Sequence, residues 1–363
     1  MTPPSFSIVI PTFERWGIVC ETVLALNALE YVGTIEIVVA IDGSTDGTAS
    51  ALAAIESRFP LKLLELDHGG AGHARNQGAA AANNDIILFL DDDMRAQADL
   101  VDQHARLYLD GADSVIGDLR HDPATPPGFV ADAIELWISA ARPPGRIEPF
   151  DVFTGQLSVR RDLFEQLGGF DESFTTGGNF ANEDVDFGVR LLDGHDVRYN
   201  PDAITHQSYV VSLRENFARA PRQAAGDLHF AARHPRLARR LFEQRGGLRP
   251  VARLVYRPLA CVPFLPRLLV AGAVRIGEFC LGTRHRSNPL LRRIIGAARW
   301  ISYWAAVRAN GGFPQARRLL VLCYHAIKDQ SADPVLAPFG VPPPRFLDHL
   351  DSLRSRGFVF VGP

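Results

Sequence analysis

A chain of 363 residues is long enough for two or three domains. With 47% hydrophobic and 22% charged residues, it reads as a globular protein and not as a disordered chain. The formal net charge of −3 hides an asymmetry: residues 1–213 hold 13 Arg and Lys against 33 Asp and Glu, while residues 214–318 hold 21 Arg against 4 Asp and Glu, a pattern that points to an anionic partner for the second part.

Ser7–Ile10 is a short apolar run that reads as a strand stopped by Pro11, and Trp16–Leu29 reads as a helix. Glu36–Ile41 is a second buried strand, broken by Asp42-Gly43. Thr45–Arg58 is helical, with Ser44 or Thr45 as its cap. Leu61–Leu66 is a third strand, a glycine-rich loop comes next, and Ala74–Ala82 is a helix. Asp85–Leu90 is a fourth strand that ends abruptly in Asp91-Asp92-Asp93. Beyond residue 110 the alternation loosens. Val152–Arg160 is a strand candidate, Asp162–Leu167 a helix closed by Gly168-Gly169, and Glu183–Leu192 a helix; Val197–Asn200 and Ala203–His206 are short extended pieces. Residues 214–310 are mostly helical, with Asn288-Pro289 opening a helix at a natural start.

Strands alternating with helices predict an α/β fold with a doubly wound, mostly parallel sheet, followed by a basic helical segment. Ligands of such sheets bind beyond the carboxyl ends of the strands. Here those ends carry Pro11-Thr12-Phe13-Glu14, Asp42-Gly43-Ser44 and the aspartate triplet.

Crowded carboxylates at a strand end repel one another and call for a cation, and hard divalent ions take oxygen ligands that they share with phosphates. A solvated acidic turn is the plain alternative. His206 is either a third protein ligand or an ordinary structural histidine. Glu183-Asp184 opens a helix, where the two acids either complement the helix dipole or supply a general base. Asp42 can accept a hydrogen bond from a nucleobase and Phe13 can stack on one, or they are a capped turn and a core ring. Arg75 opens a helix whose N-terminus favours anions, and it either holds phosphate or base or is solvated.

In order along residues 5–210, SIVIPTFER, EIVVAIDGSTDGT, GHARNQGAA, ILFLDDDM, FTGQLSVRRDLFEQLGGFDESF, ANEDVDFGVRL and ITH resemble glycosyltransferase family 2, whose fold is GT-A. The resemblance implies an inverting, metal-dependent transferase using Mn²⁺ or Mg²⁺. It implies that Pro11, Phe13, Glu14, Asp42, Arg75, Asp91 and Asp92 hold a nucleotide-diphosphate sugar. It puts the metal at Asp93 and Asp91 with help from His206, and makes Asp184, beside Glu183, the base. Glu14 stands where the family commonly has Asn, and Ala40-Ile41 replaces the usual Val-Asp before Asp42. The Q-x-x-R-W signature of processive synthases is absent after the base, which favours single-sugar transfer.

The expected organisation is a GT-A domain over 1–213 (a nucleotide-binding half, 1–110, and an acceptor half, 111–213), a basic amphipathic segment over 214–316, and residues 317–363, whose LLVLCYHAI run resembles the truncated start of a polysaccharide deacetylase. The acceptor is expected to be a carbohydrate or a lipid-linked molecule in polysaccharide, glycolipid or cell-envelope assembly. The alternatives are one part of a bifunctional transferase and deacetylase, or a non-catalytic scaffold binding nucleotide or carbohydrate. Apolar residues 258–282 are broken by Arg267, Arg275, Pro263 and Pro266, so they read as an interfacial helix and not a span. That segment either meets an anionic membrane surface or packs on the acidic domain. Nucleic acid is not an expected partner. Without a basic leader or long apolar stretch at its start, the first domain is expected to face the cytoplasm, with peripheral attachment to the inner membrane face. Cys20, Cys261, Cys280 and Cys323 lie far apart and are expected as buried thiols.

Overall fold

The structure is a computed structural model and describes residues 2–140, 146–176, 181–245, 249–280 and 288–312, with residues 344, 346–348 and 351 beyond them. Residues 1–314 form one compact unit and residues 315–363 a second. The deacetylase-like reading of 317–363 therefore falls almost wholly outside the described residues.

The first unit is built on an eight-stranded sheet in the order β3-β2-β1-β4-β7-β6-β8-β5. Strands β1 (Phe6–Thr12), β2 (Ile35–Asp42), β3 (Leu61–Leu66) and β4 (Ile86–Leu90) run parallel. Helices α1 (Trp16–Leu26), α2 (Thr48–Ala53) and α3 (Ala71–Ala80) connect them. Central strands covered on both faces require unbroken apolar runs, and all five residues of β4 are buried, as are Phe6, Ile8, Val9 and Ile10 of β1. Strand β3 is at the edge, which is why Lys62 and Glu65 can be exposed there.

The second half of the sheet is mixed, and its first elements leave little periodic signal in the sequence. A short strand β5 (Met94–Ala96), helix α4 (Leu100–Leu109), strand β6 (Ser114–His121) and helix α5 (Phe129–Ala140) come before β7 (Gln156–Arg160), α6 (Arg161–Gln166) and α7 (Glu183–Leu191). Strand β7 runs antiparallel to β4 and β6. The two extended pieces expected around Pro201 are one strand, β8 (Val197–Gln207), parallel to β6 with a register shift between Gly117 and Asp118.

Helices α8 (Leu213–Arg233), α9 (Pro235–Gln244), a short α10 (Arg257–Ala260), α11 (Leu265–Cys280) and α12 (Pro289–Ala309) complete the unit. Ser212 and Glu215 form a reciprocal capping box at the start of α8, and Asn288 caps α12 before Pro289. This charge-distinct segment is not a separate body, because its apolar side chains complete cores begun by the sheet domain. Phe129 of α5 packs with Phe217, Val274 and Ile295, and Phe174 and Val185 pack with Phe230 and Leu241. Each such fully buried side chain contributes about 1.5–3 kcal/mol. Of the cysteines expected as buried thiols, Cys280 is buried, Cys20 is half-buried and Cys261 is exposed; Cys323 lies outside the described residues.

Candidate active site

The carboxyl ends of β1 and β2 meet at one loop cluster. Asp42 ends β2 and accepts hydrogen bonds from the backbone N–H groups of Gly69 (2.8 Å) and Gly70 (2.9 Å). The His68 imidazole lies 2.9 Å from the same carboxylate and stacks on Phe13, with ring centroids 4.4 Å apart. Phe13 is 43% exposed and so is not a core ring. Glu14 ties the two loops together: its backbone N–H donates to Ser44, and its carboxylate accepts from the backbone N–H and hydroxyl of Thr45. Pro11 pairs with Ala40 in the ladder just behind. The glycines that shape this cluster are forced. Gly43 has φ +73°, and a Cβ on Gly70 (φ +93°) would meet the Thr175 carbonyl at 2.7 Å.

The triplet after β4 is joined to this cluster. The Thr12 hydroxyl donates to Asp92 (2.8 Å), and the Arg15 guanidinium, at the start of α1, reaches Asp92 (2.5 Å) and Asp93 (3.1 Å). Gln207 of β8 donates to Asp93 at 3.2 Å. Burial pushes Asp92 up to about 7 against the pull of Arg15, and burial raises Asp93 likewise. For Arg15 burial disfavours the charge, but Asp92 and Asp93 more than offset it and its pKa is raised. The cluster therefore has an excess of anionic oxygen that two guanidinium groups compensate, Arg15 here and Arg75 on Asp91 (2.7 Å).

Such an oxygen-only donor set is of the kind a hard divalent ion takes, and Asp91 and Asp93 are the residues that would hold one. His206 does not join them. The charged groups acting on it are Asp122, Arg95, Arg120 and Asp118, while its neighbour Gln207 is the residue that reaches Asp93. Successive side chains of a strand face opposite ways, so the two cannot both point at the triplet. Among the described residues, no group of three or more His, Cys, Asp or Glu side chains is arranged to hold a metal.

Arg75, 5% exposed on α3, connects the triplet to the acids of α7: one guanidinium nitrogen is on Asp91 and another is 3.0 Å from Glu183. Arg75, Asp91, Glu183 and Asp184 all line one cavity of about 1020 Å³, whose far wall includes Arg245 and Arg299 of the helical segment. Asp184 opens to this cavity but is walled in by protein, and burial together with the Glu183 charge raises its pKa well above the usual carboxylate range. Asp92 and Asp93 are not among the residues lining this cavity, and each is 5% exposed. Asp186, two positions further along α7, is 1% exposed and pairs with Arg190, Arg233 and His234.

The chain entering α7 is strained. Ala181 and Asn182 have φ +100° and +77°, a conformation that persists only when its surroundings impose it. Asn182 donates to the fully buried Asp227 of α8 (2.9 Å), which also accepts from Tyr303 of α12 (2.6 Å) and from Arg245 (3.1 Å).

Residues 7–168 match the family model of Glycosyl transferase family 2. They are a family 2 glycosyl transferase domain. The chain carrying this glycosyl transferase domain is 28% identical over 283 residues to validoxylamine A glucosyltransferase of Streptomyces hygroscopicus subsp. jinggangensis, covering 66% of this chain and 63% of that one. A shorter stretch of 103 residues is 35% identical to the uncharacterized glycosyltransferase YfnE of Bacillus subtilis (28% of this chain, 26% of that one). The amylovoran biosynthesis glycosyltransferase AmsB of Erwinia amylovora is 26% identical over 217 residues (58% and 63%). The chain thus spans less than two thirds of the length of each of these curated relatives. In fold, it resembles the mannosyltransferase PcManGT from Pyrobaculum calidifontis, solved with GDP-Man and Mn²⁺, at TM-score 0.54 and 20% identity over 84% of this chain and 88% of that one.

Several residues of this candidate site escape a reading of the sequence alone. Arg15 stands within SIVIPTFER, and Gln207 stands next to His206, each one phase away from notice. His68 precedes the glycine loop and has only its ring to recommend it. Asp227, Arg245 and Tyr303 carry no local signal, because Asp227 and Arg245 meet Asn182 from 45 or more residues away and Tyr303 meets Asp227 from 76.

Proposed function

We propose that this chain transfers a sugar from a nucleotide-diphosphate donor to an acceptor hydroxyl in a single displacement with inversion at the anomeric carbon. One observation carries the reading: Asp91, Arg75, Glu183 and the base candidate Asp184 line one cavity at the carboxyl edge of the sheet. The donor's base packs against Phe13 and Asp42, with Pro11 and Glu14 shaping the loop and Asp92 and Arg75 nearby. Asp184 takes the acceptor hydroxyl's proton as that oxygen attacks the anomeric carbon. The bond from that carbon to the diphosphate breaks, and the diphosphate leaves with the electron pair. The raised pKa of Asp184 makes it a stronger base than a solvated carboxylate once it is ionised. Mg²⁺ or Mn²⁺ held by Asp91 and Asp93 supplies positive charge at the departing diphosphate when bound. The names of two relatives, a validoxylamine A glucosyltransferase and an amylovoran biosynthesis glycosyltransferase, support sugar transfer, and the acceptor is taken to be a carbohydrate or lipid-linked molecule.

A thermal-shift screen of nucleotide-diphosphate sugars with and without Mn²⁺ tests the donor reading. At least one is expected to raise the melting temperature in an Mn²⁺-dependent way, and Asp93→Ala to abolish the Mn²⁺ dependence. If no nucleotide sugar shifts the wild type, the proposal is lost.

The same reading gives the helical segment a place at an anionic membrane surface. Among the described residues no single helix is long and apolar enough to cross a membrane, and the apolar pair Leu254–Ala260 and Leu265–Cys280 is bent by 109°. At that bend Phe264 is exposed, Leu268 and Phe279 of α11 are exposed too, and Arg267 and Arg275 lie exposed among them. Apolar side chains with interspersed arginines suit a headgroup interface. Co-sedimentation of the full chain with phosphatidylglycerol vesicles, lost in Phe264→Ser/Phe279→Ser, is the expected result; no sedimentation of the wild type contradicts it.

A further inference from the structure

The helical wall of the cavity carries Arg219, Arg245 and Arg299, with the Trp300 indole among them. Arg245 is neutralised by Asp227. Arg299 is different: its guanidinium donates to the amide oxygens of Asn216 (3.2 Å) and Gln223 (2.8 Å), both neutral. The carboxylate that acts on it, Asp227, is already engaged by Tyr303, Asn182 and Arg245. A cation taken from water into a cavity wall without a counter-charge is disfavoured, and an anionic ligand relieves that cost. Burial and the neighbouring Arg245 charge accordingly lower the pKa of Arg299. Across the cavity the carboxylates of Asp91 and Glu183 are held by Arg75, so they do not compete for this wall. Trp137 and Phe153, edge to face at 5.2 Å, line the same cavity and give an apolar flank for a sugar ring or an alkyl chain.

We infer that this wall is an anion subsite and that the acceptor whose hydroxyl meets Asp184 carries a phosphate-type group bound by Arg299. The inference rests on the transfer reading above and adds the acceptor's chemical class to it. It also gives the arginine-rich segment a task inside the catalytic cavity: guanidinium groups match phosphate oxygens in pairs of parallel hydrogen bonds.

The test uses the full chain and the fluorescence of the cavity tryptophans, titrated with octyl phosphate, octyl glucoside and inorganic phosphate in separate arms. Octyl phosphate is expected to quench saturably, with its dissociation constant raised at least tenfold in Arg299→Gln and partly recovered in Arg299→Lys. Octyl glucoside is expected to leave the signal unsaturated. Inorganic phosphate competing as well as octyl phosphate marks a free phosphate group as the feature recognised; weaker competition marks a phosphate on an aliphatic chain, and either supports the subsite. Equal octyl phosphate binding by wild type and a folded Arg299→Gln, or no saturation in the wild type, overturns it. Arg299-dependent quenching in a protein that no nucleotide sugar stabilises keeps the subsite and removes the donor reading, so the two failures are told apart.

Discussion

The sheet half and the helical half contribute to the same cavity by different means. Around β1, β2 and β4 the candidate side chains sit at strand ends, each within a few residues of the apolar run that places it: Phe13, Asp42 and Asp91 are fixed by local chain and by the parallel ladder, and Asp91 is the one of the three that lines the cavity. The helical segment works at long range. Its Asp227 holds Asn182 from 45 residues away, and its Arg299 faces the cavity from α12. A site of this kind needs the whole unit of residues 1–314, although the family match ends at residue 168.

Substitutions can break or sharpen that contrast. The largest effect is expected from Asp184→Asn. Losing a general base costs about 10²- to 10⁴-fold in rate, so donor turnover, including hydrolysis to free sugar, should fall by that much while nucleotide-sugar binding persists. Next is Arg75→Gln, which strands two carboxylates in a buried setting. Breaking a buried ion pair on one side costs about 3–5 kcal/mol, and urea unfolding should show a loss of that size. Asp227→Asn tests the helical half. It turns one of two accepting oxygens into an amide donor facing other donors and removes the counter-charge of Arg245, for which a loss of about 1–3 kcal/mol of stability is expected. If the helical half also positions the base, turnover falls further than donor binding does; a variant with unchanged turnover would reduce Asp227 to a packing role. The smallest effect belongs to His206→Ala, for which Mn²⁺-dependent stabilisation by a nucleotide sugar should stay within about twofold of wild type in apparent affinity. A large loss would return His206 to the metal.

The contrast also explains what can be read from the sequence. Strands β1 to β4 and the acids at their ends are legible because buried parallel strands are continuous apolar runs, and a break to Pro, Asp-Gly or an aspartate triplet marks where each one stops. Helix α7 is legible from Glu183 onward, but its strained entry at Ala181-Asn182 is not, since neither residue is a glycine. His206 shows the limit of phase. Pro201 and the register shift opposite Gly117 and Asp118 hide which residues of β8 face the triplet, and a slip of one position exchanges His206 for Gln207. Asp186 looks like one more acid on a helix surface; only the fold brings Arg233 and His234 over it.

The proposed catalysis turns on the walled-in Asp184, which lines the cavity together with Asp91, acting as base, and its pH dependence is the most direct measure. A base works only when ionised, and burial with the Glu183 charge holds Asp184 protonated to higher pH than a solvated aspartate. The rate of donor turnover under subsaturating donor should therefore rise with pH through an inflection well above the ordinary carboxylate range and then level off. A folded protein whose rate is flat from about pH 5 to 8, where an ordinary aspartate is already ionised, would contradict it.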